Sequence, residues 1–488
     1  MKRIKYIALA TLIAGMSSCS HGWLDVEPST SVETETSIKS LREIEFTLNG
    51  TYNLMHNSDT YSGRLMFYAD VTGDDMQAVD VTKRTARYYR FDFNKDSNPS
   101  THWAYLYKII NNCNTVINQI GDIQILEKEY ALRDDLLGQA YAIRGLAYFD
   151  LVRLFGYPYK KDSGASLGVP IILEHLSHDA KPKRATVAEC YTQFIDDLKK
   201  GCDLMNDKFK KGKMTRWAAM TLLSRAYLYK GEDALALQTA EEAIKGAEKA
   251  RYKLWLNEDY ASVWGVESSD KAPGEVLFEI VNETTESPGK ESMGYLNHYD
   301  GYADMCITAS FYNLLKQDPD DARLDVLTFY KSKSGARMAF INKFQPQENE
   351  AIEDGNIPLV RLSETYLIAA EAAVKVGDND KAVKYLDPIV NRANPEKTVV
   401  GETITVDRVK LERRKELFGE GHRMYDAVRD GGTLTRKDEK VSDKKINVEH
   451  FELLDGPYGW DYYKIVLPIP TREKKANPNM EQNPGYGD

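Results

Sequence analysis

Cysteine is scarce, with five in 488 residues. After Cys19 come Cys113, Cys190, Cys202 and Cys306, with no Cys-x-x-Cys pair and no histidine at ligand spacing beside them, so no metal site is expected. Cys190 and Cys202 share one expected helix, Val187 to Met205, where a twelve-residue offset separates them by about 18 Å, beyond disulfide reach. A disulfide framework is therefore not expected. Clustered basic residues are missing beyond the first few positions, and the net charge is −10 with a pI near 5.5. Binding nucleic acid needs clustered Lys and Arg against phosphate, so that class of partner is excluded. No apolar run is long enough to remain as a membrane span. Tandem repeats are also missing, which excludes a pure solenoid.

What is present begins with an address. Lys2, Arg3 and Lys5 precede the short apolar run Ile7 to Ile13, and the segment ends at Met16-Ser17-Ser18-Cys19. This has the form of a bacterial lipoprotein signal over 1–18, cleaved after Ser18, with Cys19 carrying lipid and residues 19–36 forming a polar tether. The mature body is then expected to be held to a membrane by its lipid alone.

Two later stretches share one grammar. Leu362 to Ile389 places apolar or small residues at Leu362, Tyr366, Ala369, Ala370, Ala373 and Val376, then at Ala382, Val383, Leu386 and Ile389, with Gly377 ending the first helix and Asp378 or Asp380 capping the second. Trp217 to Ile244 repeats it, with Gly231-Glu232-Asp233 at the turn. Each resembles a tetratricopeptide hairpin, in which Ala-rich helices cover one another's apolar stripes. The fold expected is mainly α: one body over 37–488, with such hairpins at about 103–155, 186–246, 358–393 and 405–430, packed against a large irregular, loop-rich region with a few short strands. Leu136 to Phe155 is apolar on nearly every side and should be buried, whereas EVLFEIV reads as a strand. Tyr61 to Asn98 shows no helical period and reads as a long ordered loop. Pro388 should kink or end its helix, and Gly419 should loosen the turn after Phe418.

Tyrosine outnumbers phenylalanine by 30 to 15. A sugar ring needs a flat apolar face with polar groups beside it, and exposed Tyr or Trp supplies that face. Two loops have the composition: Tyr295, His298, Tyr299, Asp300 and Tyr302 in one, and Asp74, Asp75, Arg87 and Tyr88 in the other, with Trp103 at the edge of the second. Trp217, Trp255, Trp264 and Trp460 read as core. Catalytic motifs fail on context. Gly164-Ala-Ser166-Leu-Gly168 matches a nucleophile-elbow string, but Pro170 follows where that motif needs a helix. Glu412, Arg413, Glu416, Arg423, Asp426 and Arg429 have the spacing of charges that lace helices together rather than an acid–base pair. No cofactor motif is present.

Several segments in order resemble the SusD/RagB family of outer-membrane nutrient-binding lipoproteins. They are Cys19 in its lipobox, YKIINNCN (107–114), RGLAYFDLVRLF (144–155), Gly168-Val169-Pro170, EVLFEI (275–280), Asp321-Ala322-Arg323, RLSETYLIAAE (361–371), ERRKELFGEGHRMYDAVR (412–429), and Pro468-Ile469-Pro470 with Gln482-Asn483-Pro484. The resemblance implies tetratricopeptide-like hairpins on one side and irregular loops on the other. It further implies a cell-surface protein that binds a glycan without altering it and passes it to a SusC-like TonB-dependent transporter. Two other functions stay open on the residues alone: a peptide- or protein-binding scaffold in nutrient uptake, and an all-helical glycoside hydrolase or lyase.

Overall fold

The computed structural model describes residues 38–487 apart from 97–98, 178, 266–273, 283–287, 347–349, 437–444, 448–449 and 451–453. The signal, Cys19 and the 19–36 tether lie outside the described residues.

The chain enters through α1 (Leu41–Met55), where Ser40 accepts from the Glu43 amide and Glu43 reaches back to the Ser40 amide in a capping box. The stretch from Tyr61 departs from the expected loop: α2 (Arg64–Val71) and the single turn α3 (Ala86–Tyr89) flank strand β1 (Met76–Ala78). Every residue from Leu65 to Val71 is buried, so α2 has no polar face and leaves no amphipathic period to read. Helices α4 (Pro99–Gln119) and α5 (Tyr130–Phe155) follow, with α6 (Val187–Leu204) against α5. The central helix is buried on nearly every side because it lies between these two neighbours. Its close approach to α6 needs glycine: a Cβ on Gly138 would stand 2.9 Å from the Met205 nitrogen, and one on Gly201 3.0 Å from the Gly138 carbonyl oxygen.

The two sequence-legible hairpins then pack together. Helix α7 (Arg216–Lys230) turns at Gly231 (φ +89°) into α8 (Asp233–Lys249). After the short α9 (Met293–Leu296) and α10 (Ala309–Leu315), α11 (Leu362–Lys375) packs on both α8 and α12 (Asn379–Ala393). Asp378 caps α12 by accepting from the Lys381 amide at 3.0 Å. Pro388 does not end α12, which runs on to Ala393. The carbonyl it leaves unpaired belongs to exposed Lys384, where water can take it.

Helix α13 (Val406–Glu416) and the short α14 (Arg423–Val428) are joined by a turn in which Gly419 (φ +78°) and Gly421 (φ +79°) are both left-handed. Gly419 thus tightens this turn rather than loosening it, and a Cβ there would lie 2.6 Å from Ile341 Cδ1. The last helix is α15 (Thr471–Ala476).

Five more strands complete three two-stranded antiparallel sheets: β1 with β3 (Met305–Ile307), β2 (Val276–Ile280) with β6 (Ile357–Arg361), and β4 (Leu327–Lys331) with β5 (Arg337–Ile341). The expected strand at EVLFEIV is β2. A buried ionic lattice joins β2, β6, α11, α13 and α14. Arg361 reaches Glu275 at 2.6 Å, Glu416 at 2.9 Å and Glu420 at 2.7 Å. Arg413 reaches Asp426 at 2.6 Å and Glu364 at 3.0 Å, while Arg323 holds Asp321 and Glu412, each at 2.6 Å. Burial works against these carboxylates, yet the adjacent guanidinium groups outweigh it, and Glu364 and Glu416 are each held down at about 2.

Candidate functional site

The Met293–Asp304 segment folds back on itself. Ser292 accepts from the Tyr295 amide at 3.2 Å to start α9, and the amides of Tyr302 and Asp304 return to the carbonyls of Tyr295 and Leu296 at 3.0 and 2.8 Å. Gly301 permits the closure, because a Cβ there would meet the Tyr295 carbonyl oxygen at 2.1 Å. The result is a tight projection carrying His298, Tyr299 and Asp300 at its tip.

Strand β3 leaves this projection and pairs with β1, matching Gln77 to Cys306. Against it lies the β4–β5 hairpin, matching Tyr330 to Met338 and Thr328 to Phe340. These four residues share one face of the hairpin because directly opposed residues point the same way. Met338 and Phe340 bury that face against Cys306, Val79 and Ala303. Tyr330, at the end of the same face, continues past the core and meets Tyr299.

There an aromatic platform forms. Tyr299 and Tyr330 stack with centroids 5.5 Å apart and planes 18° off parallel, and His298 lies 4.6 Å from Tyr299 at 24°. Tyr299 remains 36% exposed and Tyr330 38%, so the ring area not used in the stack meets water. A second layer braces the turn from below. Tyr302 packs edge-on to Tyr295 at 4.9 Å, the Arg84 guanidinium lies 3.8 Å over the Tyr302 ring, and Lys83 Nζ donates to the Tyr302 carbonyl at 2.5 Å. Asp304 anchors Arg84 at 3.2 Å, and burial raises its carboxyl above the ordinary value.

The structure therefore brings Tyr295, His298, Tyr299, Asp300 and Tyr302 to one place and separates them from most of the second expected set. Asp74 and Asp75 are buried and ion-paired away from this place: Arg423 Nε donates to Asp74 at 2.5 Å and Arg414 Nε to Asp75 at 2.9 Å. The Gly-Asp-Asp string, expected in a long ordered loop, here pairs with Arg414 of α13 and Arg423 of α14. Tyr88 is 3% exposed, edge-on to Phe67 at 5.2 Å and in ring contact with Tyr68. Arg87 stays partly exposed, three residues after Arg84. Trp103 is also 3% exposed, 5.0 Å from both Tyr107 and Phe155, in the wall of a different cleft of about 820 Å³ that Leu54, Lys108 and Met480 also line. Its place at a helix start suggested an edge, but α4 turns that side inward.

Tyr330 and Arg84 escaped the sequence reading. The signal for Tyr330 was present in LTFYK–SKSGA–RMAFI, two β-rich runs around a Gly-bearing tip. Arg84 has no local signal, since its ring partner lies over two hundred residues away. Ser166 leads into a β-bridge, Leu167 to Thr186, rather than into a helix. Glu412, Arg413, Glu416, Arg423, Asp426 and Arg429 all belong to the ionic lattice. Among the described residues no group of His, Cys, Asp or Glu is arranged to hold a metal ion, and no helix is long and apolar enough to cross a membrane.

Comparison with known proteins settles the family. The SusD family model matches residues 331–486, and a second model, described as starch-binding associating with outer membrane, matches residues 22–228. A solved SusD superfamily protein of Bacteroides vulgatus ATCC 8482 is 35% identical, covers 92% of this chain and 100% of its own, and superposes with a TM-score of 0.85. The chain belongs to the SusD family. Another solved protein of the same organism is 60% identical over 93% of this chain and 100% of its own, with a TM-score of 0.89. A laminarin binding SusD-like protein, at 22% identity over 92% of this chain and 100% of its own, shares the fold at a TM-score of 0.69. SusD-like relatives bind starch and other glycans and associate with the outer membrane.

Proposed function

We propose that this SusD-like chain captures an oligosaccharide or polysaccharide at the cell surface, moored by lipid on Cys19, and delivers it to a TonB-dependent outer-membrane transporter without cleaving it. The observation that carries the proposal is the Tyr299–Tyr330 stack. There the loop-rich side presents near-parallel rings to solvent on a braced support. A pyranose offers an apolar face of C–H groups to such rings, and its hydroxyls then meet the polar rim, here Asp300 and His298. Binding without chemistry is supported by the commitment of the carboxylates at 412–426 to guanidinium partners, which leaves them no role as acid and base.

Titration calorimetry across a panel of oligosaccharides tests the reading. At least one ligand is expected, with Tyr299→Ala and Tyr330→Ala each weakening it about fivefold or more, the scale of one lost aromatic contact. Unchanged affinity in both variants would remove the platform from the proposal. Chromatography of the bound glycan after long incubation should return it intact. Co-purification of the full chain with a transporter-sized partner from outer membranes tests delivery, and loss of acyl labelling in Cys19→Ala tests the anchor.

A further inference from the structure

The cleft that Trp103 borders has no part in the platform. It is lined by α4 as far as Asn112, by the second half of α1, by the run from Pro170 to Leu176, by the Ala180–Pro182 rim and by α15. At about 820 Å³ it falls within the roughly 300–1,000 Å³ of clefts that hold small ligands. Its walls are fixed before any ligand arrives. Tyr107 Oη donates to the Pro170 carbonyl at 2.7 Å, and Asn114 and Asn118 donate to the carbonyls of Ile172 and Leu173 at 2.9 and 3.1 Å, so α4 holds the 170–173 run against itself. Asn477 and Asn479 donate to the carbonyls of Pro182 and Lys181 at 2.7 and 2.8 Å, which ties the rim to the tail beyond α15. A cleft pinned on both sides loses little entropy when it is filled.

Within those walls stand polar groups that the fold itself leaves unused. The side chains of Asn111, Asn112 and Lys181 make no hydrogen bond or ion pair among the described residues, and Lys108 rests on the Tyr105 ring alone, 4.5 Å away. Positions 104, 107, 108 and 111 follow the three- and four-residue spacing of one helix face, so Lys108 and Asn111 are presented beside the partly exposed Tyr107. Much of the remaining lining is apolar, with Leu54, Ile172 and Met480 joined by Leu176, which is 39% exposed.

That combination selects a class of ligand. A carboxamide both donates and accepts, as a sugar hydroxyl does, and an aliphatic wall suits the C–H side of a pyranose. A hydrocarbon chain would bury the amides without partners. A peptide added as a strand needs an open sheet edge, and among the described residues none of the six strands borders this cleft.

We propose that this cleft is a second glycan site, in which Lys108, Asn111 and Asn112 bond sugar hydroxyls while Tyr107, Ile172 and Leu176 meet the C–H faces. It shares no residue with the Tyr299–Tyr330 platform, so one chain takes up two short oligosaccharides, and either site can fail without the other.

The test is calorimetry of the full mature protein with short oligosaccharides cut from starch, laminarin, mannan and pectin. One of them should bind as two molecules per chain, and the double substitution Tyr299→Ala with Tyr330→Ala should leave one. In that background Ala476→Trp, which fills the cleft from an exposed position at the end of α15, should abolish the remainder. Lys108→Ala with Asn111→Ala, both at exposed positions, should weaken it about tenfold, the scale of two lost hydrogen bonds. Hydrogen exchange over the 170–176 run should slow when the sugar is added to the platform double variant. One molecule per chain in the parent and none in the platform double variant overturns the second site and leaves the platform standing. Residual binding that neither Ala476→Trp nor the Lys108 and Asn111 pair alters also overturns it. Binding lost in the cleft variants but indifferent to Tyr299→Ala and Tyr330→Ala upholds the cleft and removes the platform. A casein hydrolysate that binds the parent but not Ala476→Trp, with no sugar bound there, makes the cleft a peptide site and overturns the proposal. Absence of binding by every oligosaccharide removes both sites.

Discussion

Replacing Arg361 by Met probes the joint on which the scaffold depends. Arg361 is 1% exposed at the end of β6, where the chain enters α11. Its Nε and Nη2 donate to Glu420 at 2.7 Å each, and its Nη1 to Glu275 at 2.6 Å and Glu416 at 2.9 Å. Met fills the space of the stem but leaves those carboxylates short of charge. Breaking a buried pair from one side costs about 3–5 kcal/mol. Each carboxylate here keeps at least one cation, since Arg392 still reaches Glu275 at 3.0 Å and Glu416 at 2.7 Å, and Lys343 still reaches Glu420 at 2.7 Å. The cost should therefore fall near the lower end, about 3 kcal/mol.

Urea unfolding followed by tryptophan fluorescence is the assay, because Trp255 and Trp264 lie within 5.5 and 4.9 Å of the guanidinium. Arg361→Lys keeps the charge but cannot span Glu275 and Glu420 together, so it should recover only part of the loss. Acidification gives an independent check. In the parent, Glu416 stays ionised down to about 2, whereas in the Met variant the undercompensated carboxylates take up protons earlier and the two proteins converge as pH falls below 4.5. A destabilisation below about 1 kcal/mol at neutral pH, or a gap that widens on acidification, would refute this account of the lattice.

Four further outcomes are expected. Asp74→Asn should lower the melting temperature, by breaking the Arg423 pair, without changing glycan affinity, as thermal melts and calorimetry on one preparation will show. Trp103→Ala should cost about 3–5 kcal/mol in denaturant unfolding and likewise spare binding at the platform, because the ring is core. Burial and then Arg413 outweigh Glu364 to press His422 from 6.5 to about 3, so the unfolded chain binds more protons between those values. Stability should fall as pH drops through that window, by up to roughly 5 kcal/mol, and melts of His422→Gln should show a flatter profile. Gly419→Ala should destabilise by more than about 1 kcal/mol through its φ of +78° and its approach to Ile341, and Ile341→Val should relieve only the contact.

Local pattern determined the paired helices, since α7 to α8 and α11 to α12 carry their stripes, glycine turns and the Asp378 cap within some thirty residues each. It also determined that α5 is buried and that the 295–302 tyrosines belong together, because both depend on composition over short spans. Tertiary structure alone decided the rest. Helix α2 is hidden on all sides, so it left no period. Asp74 and Asp75 became buried ion-pair partners because Arg414 and Arg423, over three hundred residues later, fold onto them. The platform itself needed two segments whose rings meet only when the β4–β5 hairpin lies against β3. Sequence periodicity records what one element does with its own neighbours, whereas a binding surface is set by which distant side chains are left uncovered when every element has packed.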